Sequence, residues 1–247
     1  MDKMLYIAAS GASQDLLATS VRSNNLANAQ TTGFKAMLTQ ARAMPAFGDG
    51  LPTRVFAMTE SHANKMSGGP LVQTDRTMDL AIQGDGWFAV QDKNGGEAYT
   101  RAGSLQAGPD GLLQDAHGNA IVGDGGPIFL PLPVENISFT NDGTITVRPQ
   151  GAPANVQEEI GRMKLVNPDV RQLARGEDGL FRQKDGIDAD LDPNVRIRSG
   201  VLESSNVNPI DEMMTVIGLQ RHYEMQVKMM KEAGDLTDRG NQLLRIL

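Results

Sequence analysis

The amino-acid sequence predicts an α+β fold: long N- and C-terminal α-helices packed as a coiled-coil-like pair, an extended connector, and a central mostly-β domain. Three observations predict it. Leu5, Ala9, Ala12, Leu16, Thr19, Ser23 and Leu26 alternate at spacings of four and three, a heptad seam whose small residues let another helix approach closely. Asn208-Pro209-Ile210-Asp211 reads as an N-cap, a proline at the first helical position and an acid at the positive end of the helix dipole. Between these ends, Asp-Gly pairs separate short alternating apolar segments, the signature of tight hairpins.

In chain order, the first helix occupies 1–31, and Thr31, Thr32 and Gly33 supply its stop. Its last turns hold Asn24, Asn25 and Asn28, poor helix formers that compete for backbone hydrogen bonds. Two roles suit them. Buried amides fix the register of an assembly, because a misaligned amide loses its partner; alternatively they cap the helix end and satisfy the connector backbone. Residues 32–79, with Pro45, Pro52 and the Gly68-Gly69-Pro70 break, read as the extended connector.

The β domain covers 80–195. It runs from a turn into a strand at Gly84 to Val90 (GDGWFAV), and Tyr99, Thr100, Leu105, Leu112 and Leu113 sit in short segments around Pro109-Asp110-Gly111. Asn141-Asp142-Gly143 lies between Ile137, Phe139 and Ile145, Val147, and Asp178-Gly179 and Asp185-Gly186 mark later turns. Residues 196–207 return the chain to a helix over 208–247. Its stripe is Ile210, Met213, Ile217, Tyr223, Val227, Met230, Ala233, Leu236, Leu243 and Leu247, and its 39 residues from Pro209 would extend about 58 Å. Such a stripe is also the core face of any amphipathic helix. Its placement at both extremities of a β domain favours assembly, because terminal helices can bury their stripes only on each other or on neighbouring chains. Gly11, Gly218, Gly234 and Gly240 each cost up to about 1 kcal/mol relative to alanine, so the ends are expected to order on assembly around a pre-formed β core.

The composition narrows the function. The chain of 247 residues is long enough for a real core, and its net charge of -7 with scattered Lys and Arg argues against nucleic acid and anionic membranes as partners. Cysteine is absent, which removes disulfides, thiolate metal sites and cysteine nucleophiles. The apolar run Met4 to Ala9 is too short for a secretory leader and is followed by Gln14 and Asp15, and no window approaches the roughly 20 apolar residues that span a bilayer.

Catalytic chemistry finds little purchase. His62, His117 and His222 lack metal-ligand spacing, and Asp188, Asp190 and Asp192 begin like a calcium loop but meet Pro193 where glycine is needed and Ser199 where a bidentate glutamate is needed. Nucleophile-elbow, P-loop and dinucleotide fingerprints are missing. Trp87 could stack a sugar beside an acid pair, yet a lone strand tryptophan is usually core, and with 30 acids some pairing is inevitable. No catalytic group, cofactor or metal is expected.

Asn24-Asn25-Leu26-Ala27-Asn28 followed by Thr31-Thr32-Gly33-Phe34-Lys35 resembles the N-terminal signature of bacterial flagellar basal-body rod and hook proteins. GDGWFAV with YTRAGSL at Tyr99 to Leu105 resembles the family's middle segment. GVLESSNVNPIDEM at Gly200 to Met213, with Arg221, Tyr223, Glu224 and Lys228, resembles its C-terminal segment. Motifs in the same order thus run from end to end. MDKMLYIAASGASQ, GRMKLV at Gly161 to Val166, EMQVK at Glu224 to Lys228 and NQLL at Asn241 to Leu244 resemble proximal rod members; in distal ones the position of Gln226 is typically asparagine.

The resemblance implies a secreted, non-enzymatic subunit of the axial rod that carries torque from motor to hook. Its implied partners are itself, other proximal and distal rod proteins, and the flagellar type III export apparatus, which uses no cleaved signal; its implied address is the periplasm-spanning rod. The terminal helices would form the inner tube wall. Expected assembly residues are Leu5, Ala12, Leu16, Asn24, Asn25, Leu26, Asn28, Gly33, Ile210, Met213, Ile217, Tyr223, Val227 and Met230. A distal rod or hook-type subunit would work the same way. A wall-active module that binds or hydrolyses peptidoglycan is the reading from another class, supported only by Trp87 and an acid pair.

Overall fold

The computed structural model describes residues 2–45, 55–151, 153 and 157–244. Helix α1 spans Asp2–Ala27 and helix α2 spans Pro209–Leu244. The N-cap forms as its sequence dictates: the Asn208 carbonyl accepts from Glu212 N at 3.1 Å, and Asn208 Oδ1 accepts from Ile210 N at 3.1 Å. Asp211 and Glu212 lie in the first turn, where the dipole favours them. The chain divides into two compact units: a helical one of Met1–Ala29, Ala36–Lys65 and Val207–Leu247, and a β unit of Gln30–Lys35 and Met66–Asn206.

In the helical unit, α1 and α2 pack on one another. Gly11 lies against Gln226, Asp15 against His222 and Arg22 against Glu212, so partner numbers rise along α2 as they fall along α1 and the helices run antiparallel. The α+β class stands, but the coiled-coil-like pair does not form. The inward face of α1 follows Ala8, Gly11, Asp15, Arg22 and Asn25, one residue back from the expected seam and so turned by about 100° around the helix; of the expected seam residues only Ala12 is buried. Leu5 and Leu16 point out, 39% and 54% exposed. Small and polar residues set this contact, because Ala8, Ala12 and Gly11 allow close approach while the cross-links are charged or amide groups. On α2 the inward residues are Glu212, Tyr223, Gln226, Met230 and Ala233, whereas Ile210, Met213, Ile217, Val227 and Leu236 are exposed. The Leu243 side chain and all of Leu247 lie outside the described residues, as do Pro52 and the His62 side chain.

Strands Met37–Pro45 and Val55–Asn64 form an antiparallel ribbon, Met37 opposite Asn64 and Pro45 opposite Val55, within the stretch for which only an extended connector is expected.

The β unit is built on a nine-stranded sheet and smaller ladders. Strand Trp87–Gln91 shows its logic. Phe88 and Val90 enter a core with Leu80, Leu105, Leu113, Ile121, Ile145, Leu165 and Ile197, while Trp87 and Ala89 face a second cluster with Tyr99, Val166, Leu173 and Phe181. Alternation sends successive side chains to opposite faces, and here both are covered. The Asn141-Asp142-Gly143 turn joins strands Val134–Phe139 and Thr144–Pro149, with Ile137 opposite Val147 and Phe139 opposite Ile145; Gly143 takes φ 91°. The return segment is also paired: Arg196–Ser199 with Leu80–Gln83, and Val201–Glu203 with Leu71–Gln73.

Candidate assembly site

Two polar clusters organise the segments that carry the sequence motifs. In the helical unit the centre is Asn25, which is fully buried. Its Oδ1 accepts from Met37 N at 2.8 Å while its Nδ2 donates to Met37 O at 2.9 Å and to Glu212 Oε1 at 3.2 Å. One amide thus satisfies both backbone groups of the first ribbon residue and ties them to α2. Arg22 Nη1 donates to the same carboxylate at 3.2 and 3.3 Å. Asn28 bonds the Asn24 carbonyl through its backbone N–H at 3.1 Å and its Nδ2 at 2.9 Å, closing the helix end. Asn25 and Asn28 thus fasten the ribbon and the helix end within the chain.

In the β unit, Lys35 from the TTGFK motif, Arg101 from YTRAGSL and Glu203 from GVLESSNVNP converge. Glu203 Oε1 accepts from Lys35 Nζ at 2.7 Å and from Gly69 N at 3.0 Å, and Oε2 accepts from Arg101 Nη1 at 2.9 Å. All three charged side chains are buried. Arg101 also donates to the Gly84 carbonyl at 2.8 Å and lies 5.5 Å from the Trp87 ring centroid, so GDGW joins the cluster. Burial pushes the Lys35 ammonium below its ordinary value even with Glu203 beside it. For Glu203, burial alone would raise the carboxyl; the Lys35 hydrogen bond, the Arg101 charge and the Gly69 amide outweigh it and hold it below its ordinary value.

Gly33 closes tightly here. Its φ is 69°, and a Cβ would stand 2.3 Å from the Arg101 carbonyl carbon, so only glycine fits. Phe34 is buried with the Arg175 guanidinium 4.4 Å from its ring centroid.

The expected assembly residues fall into groups. Leu5, Leu16, Asn24, Ile210, Met213, Ile217 and Val227 are exposed; Leu26, Asn28, Gly33, Tyr223 and Met230 are half-buried; Ala12 and Asn25 are buried. The exposed members, with Met214 at 68%, give the first turns of α2 an outward apolar face. Arg22, Arg101, Glu203 and Glu212 were not singled out from sequence. Glu203 was legible, since alternation in Val201–Glu203 puts it on the buried side with Val201. The partnership of Glu212 with α1 spans 190 residues and has no local signal.

Trp87 is buried against Phe181, ring centroids 4.7 Å apart, and offers no surface to a sugar. His222 Nδ1 lies 3.1 Å from Asp15 Oδ2, and His117 is a surface group 3.9 Å from Asp115. Among the described residues no helix is long and apolar enough to cross a membrane, and no cluster of His, Asp and Glu is arranged to hold a metal ion.

Three protein-family models match: Flagella basal body rod protein over residues 5–35, Flagellar hook protein FlgE/F/G D1 domain over 81–147, and Flagellar basal body rod FlgEFG protein C-terminal over 198–243. The chain is similar to the flagellar basal-body rod protein FlgF of Escherichia coli K12, 42% identical over 99% of both chains, and to that of Caulobacter vibrioides, 34% identical over 96% of both. It is 28% identical to the rod protein FlgG of Agrobacterium fabrum, over 95% of this chain and 96% of the relative.

Proposed function

Because the chain belongs to the flagellar basal-body rod protein family, we propose that it is a structural subunit of the proximal rod that joins its neighbours through the outward faces of α1 and α2 and passes torque from motor to hook. The observation that carries this reading is the apolar face of Ile210, Met213, Met214 and Ile217, together with Leu5 and Leu16, directed away from the α1–α2 contact. A surface of this kind has a use when a neighbouring subunit covers it. The partners are further copies of this chain and other rod proteins. The chain reaches the rod through the flagellar type III export apparatus, and it works without catalysis, cofactor, nucleic acid or membrane insertion.

The test uses Ile217→Asp and Leu16→Asp. Both positions are exposed in the single chain, so the circular dichroism and urea midpoint of the purified protein should match the parent. In the assembled contact each would bury an unpaired carboxylate at every repeat, so cells should export the protein yet lack a completed rod and fail to swim. Normal motility in both variants would refute the helices as the assembly surface.

A further inference from the structure

We propose that segment 200–206 and Gln30–Lys35 form a shear clamp through which mechanical load crosses the β unit, with Glu203 as its central positioning residue. The chain passes between the two units at 29/30, 35/36, 65/66 and 206/207. The stretches that lead to these crossings inside the β unit are held to one another. Gly33 N donates to Glu203 O at 2.8 Å, Asn206 N to Phe34 O at 3.3 Å, and Lys35 Nζ to Glu203 Oε1 at 2.7 Å. Lys35 Nζ and Asn206 Nδ2 both donate to Ser67 O, at 3.1 and 2.8 Å, while Ser204 N donates to Pro70 O at 2.9 Å. Three stretches far apart in sequence therefore share one knot.

Its direction matters. Residues 33 and 34 pair with 203 and 206, so both stretches run the same way along the chain. Tension entering before residue 33 and leaving after 206 pulls them in opposite directions along their length, and the links are strained together instead of one after another. The charged links add stiffness. A slight displacement separates a desolvated carboxylate from its two cations before water can replace them, which is costly in a buried site. Load that passes from 33–35 to 203–206 bypasses the hydrophobic core around Leu80, Phe88 and Ile121. Use of the clamp in the cell rests on the reading of the chain as a torque-carrying rod subunit; the clamp itself is a property of the single chain.

The full chain has no cysteine, so an engineered pair gives unique handles for single-molecule pulling at constant force. Gln30→Cys with Pro209→Cys loads the clamp, and Asn94→Cys with Glu177→Cys loads two exposed turns away from it. Lifetime under load should be longer through the first pair than through the second. Glu203→Gln should shorten the first lifetime on the order of 100-fold, the factor implied by breaking a buried ion pair, and leave the second unchanged. Should Glu203→Gln fail to fold, the two geometries in the otherwise unaltered chain still decide. Equal lifetimes through both handle pairs, or an equal shortening of both by Glu203→Gln, would overturn the clamp. Neither result bears on the rod reading, which the Ile217→Asp and Leu16→Asp variants test.

Discussion

Asn25→Asp changes one atom type at the point where α1, the ribbon and α2 meet. The amide Nδ2 donates to Met37 O and to Glu212 Oε1 at 2.9 and 3.2 Å; a carboxylate there would face a carbonyl and a second carboxylate with no proton to offer. At 3.2 Å and an effective dielectric constant near 20, two like charges repel by about 5 kcal/mol. The introduced carboxyl escapes by taking up a proton. From an ordinary aspartate value near 3.9, staying protonated at pH 7 costs about 4 kcal/mol relative to the unfolded chain, which sets the ceiling. The sign follows: a folded-state value raised above the unfolded one leaves no penalty below about pH 4 and a growing one above it. Urea unfolding followed by helical circular dichroism at pH 7 and pH 4 should show a loss of about 3 to 4 kcal/mol at the higher pH and little at the lower. Asn24→Asp, on the exposed side of the same turn, should cost about 0.5 kcal/mol from the helix dipole. Equal effects at the two positions, or a loss at position 25 that does not depend on pH, would refute the fastening role.

Two further outcomes are expected. Glu203 is held below its ordinary value, so its contribution to stability is present above the unfolded value of about 4.3 and is lost as pH falls through the folded value; the urea midpoints of the parent and Glu203→Gln, followed by Trp87 fluorescence, should differ at pH 7 and draw together only as pH falls from the unfolded value through the folded one. Gly218→Ala should stabilise the free chain by up to about 1 kcal/mol, since a Cβ there meets nothing within 4 Å, and a gain absent from the urea midpoint would mean that α2 needs the flexibility of glycine even before assembly.

The sequence by itself determined the elements whose cause is local. Asn208-Pro209 starts α2 because cap and fixed φ act within one turn, Asn141-Asp142-Gly143 makes its hairpin because only glycine takes the required φ at low cost, and GDGWFAV runs from a glycine turn into an apolar strand. Three distant motifs also marked the family, and each contributes a member of the buried charge cluster without revealing that they meet. The tertiary structure alone decided which side of α1 faces inward. A helix rich in Ala and Ser offers several faces of similar hydrophobicity, so spacing selects a period but not a phase. The phase is fixed by partners far along the chain: Glu212 draws Arg22 and Asn25 inward across some 190 residues, and that choice turns Leu5 and Leu16 out to solvent. The same holds for Lys35 and Glu203, 168 residues apart, whose burial is tolerable only because each compensates the other once the chain has closed.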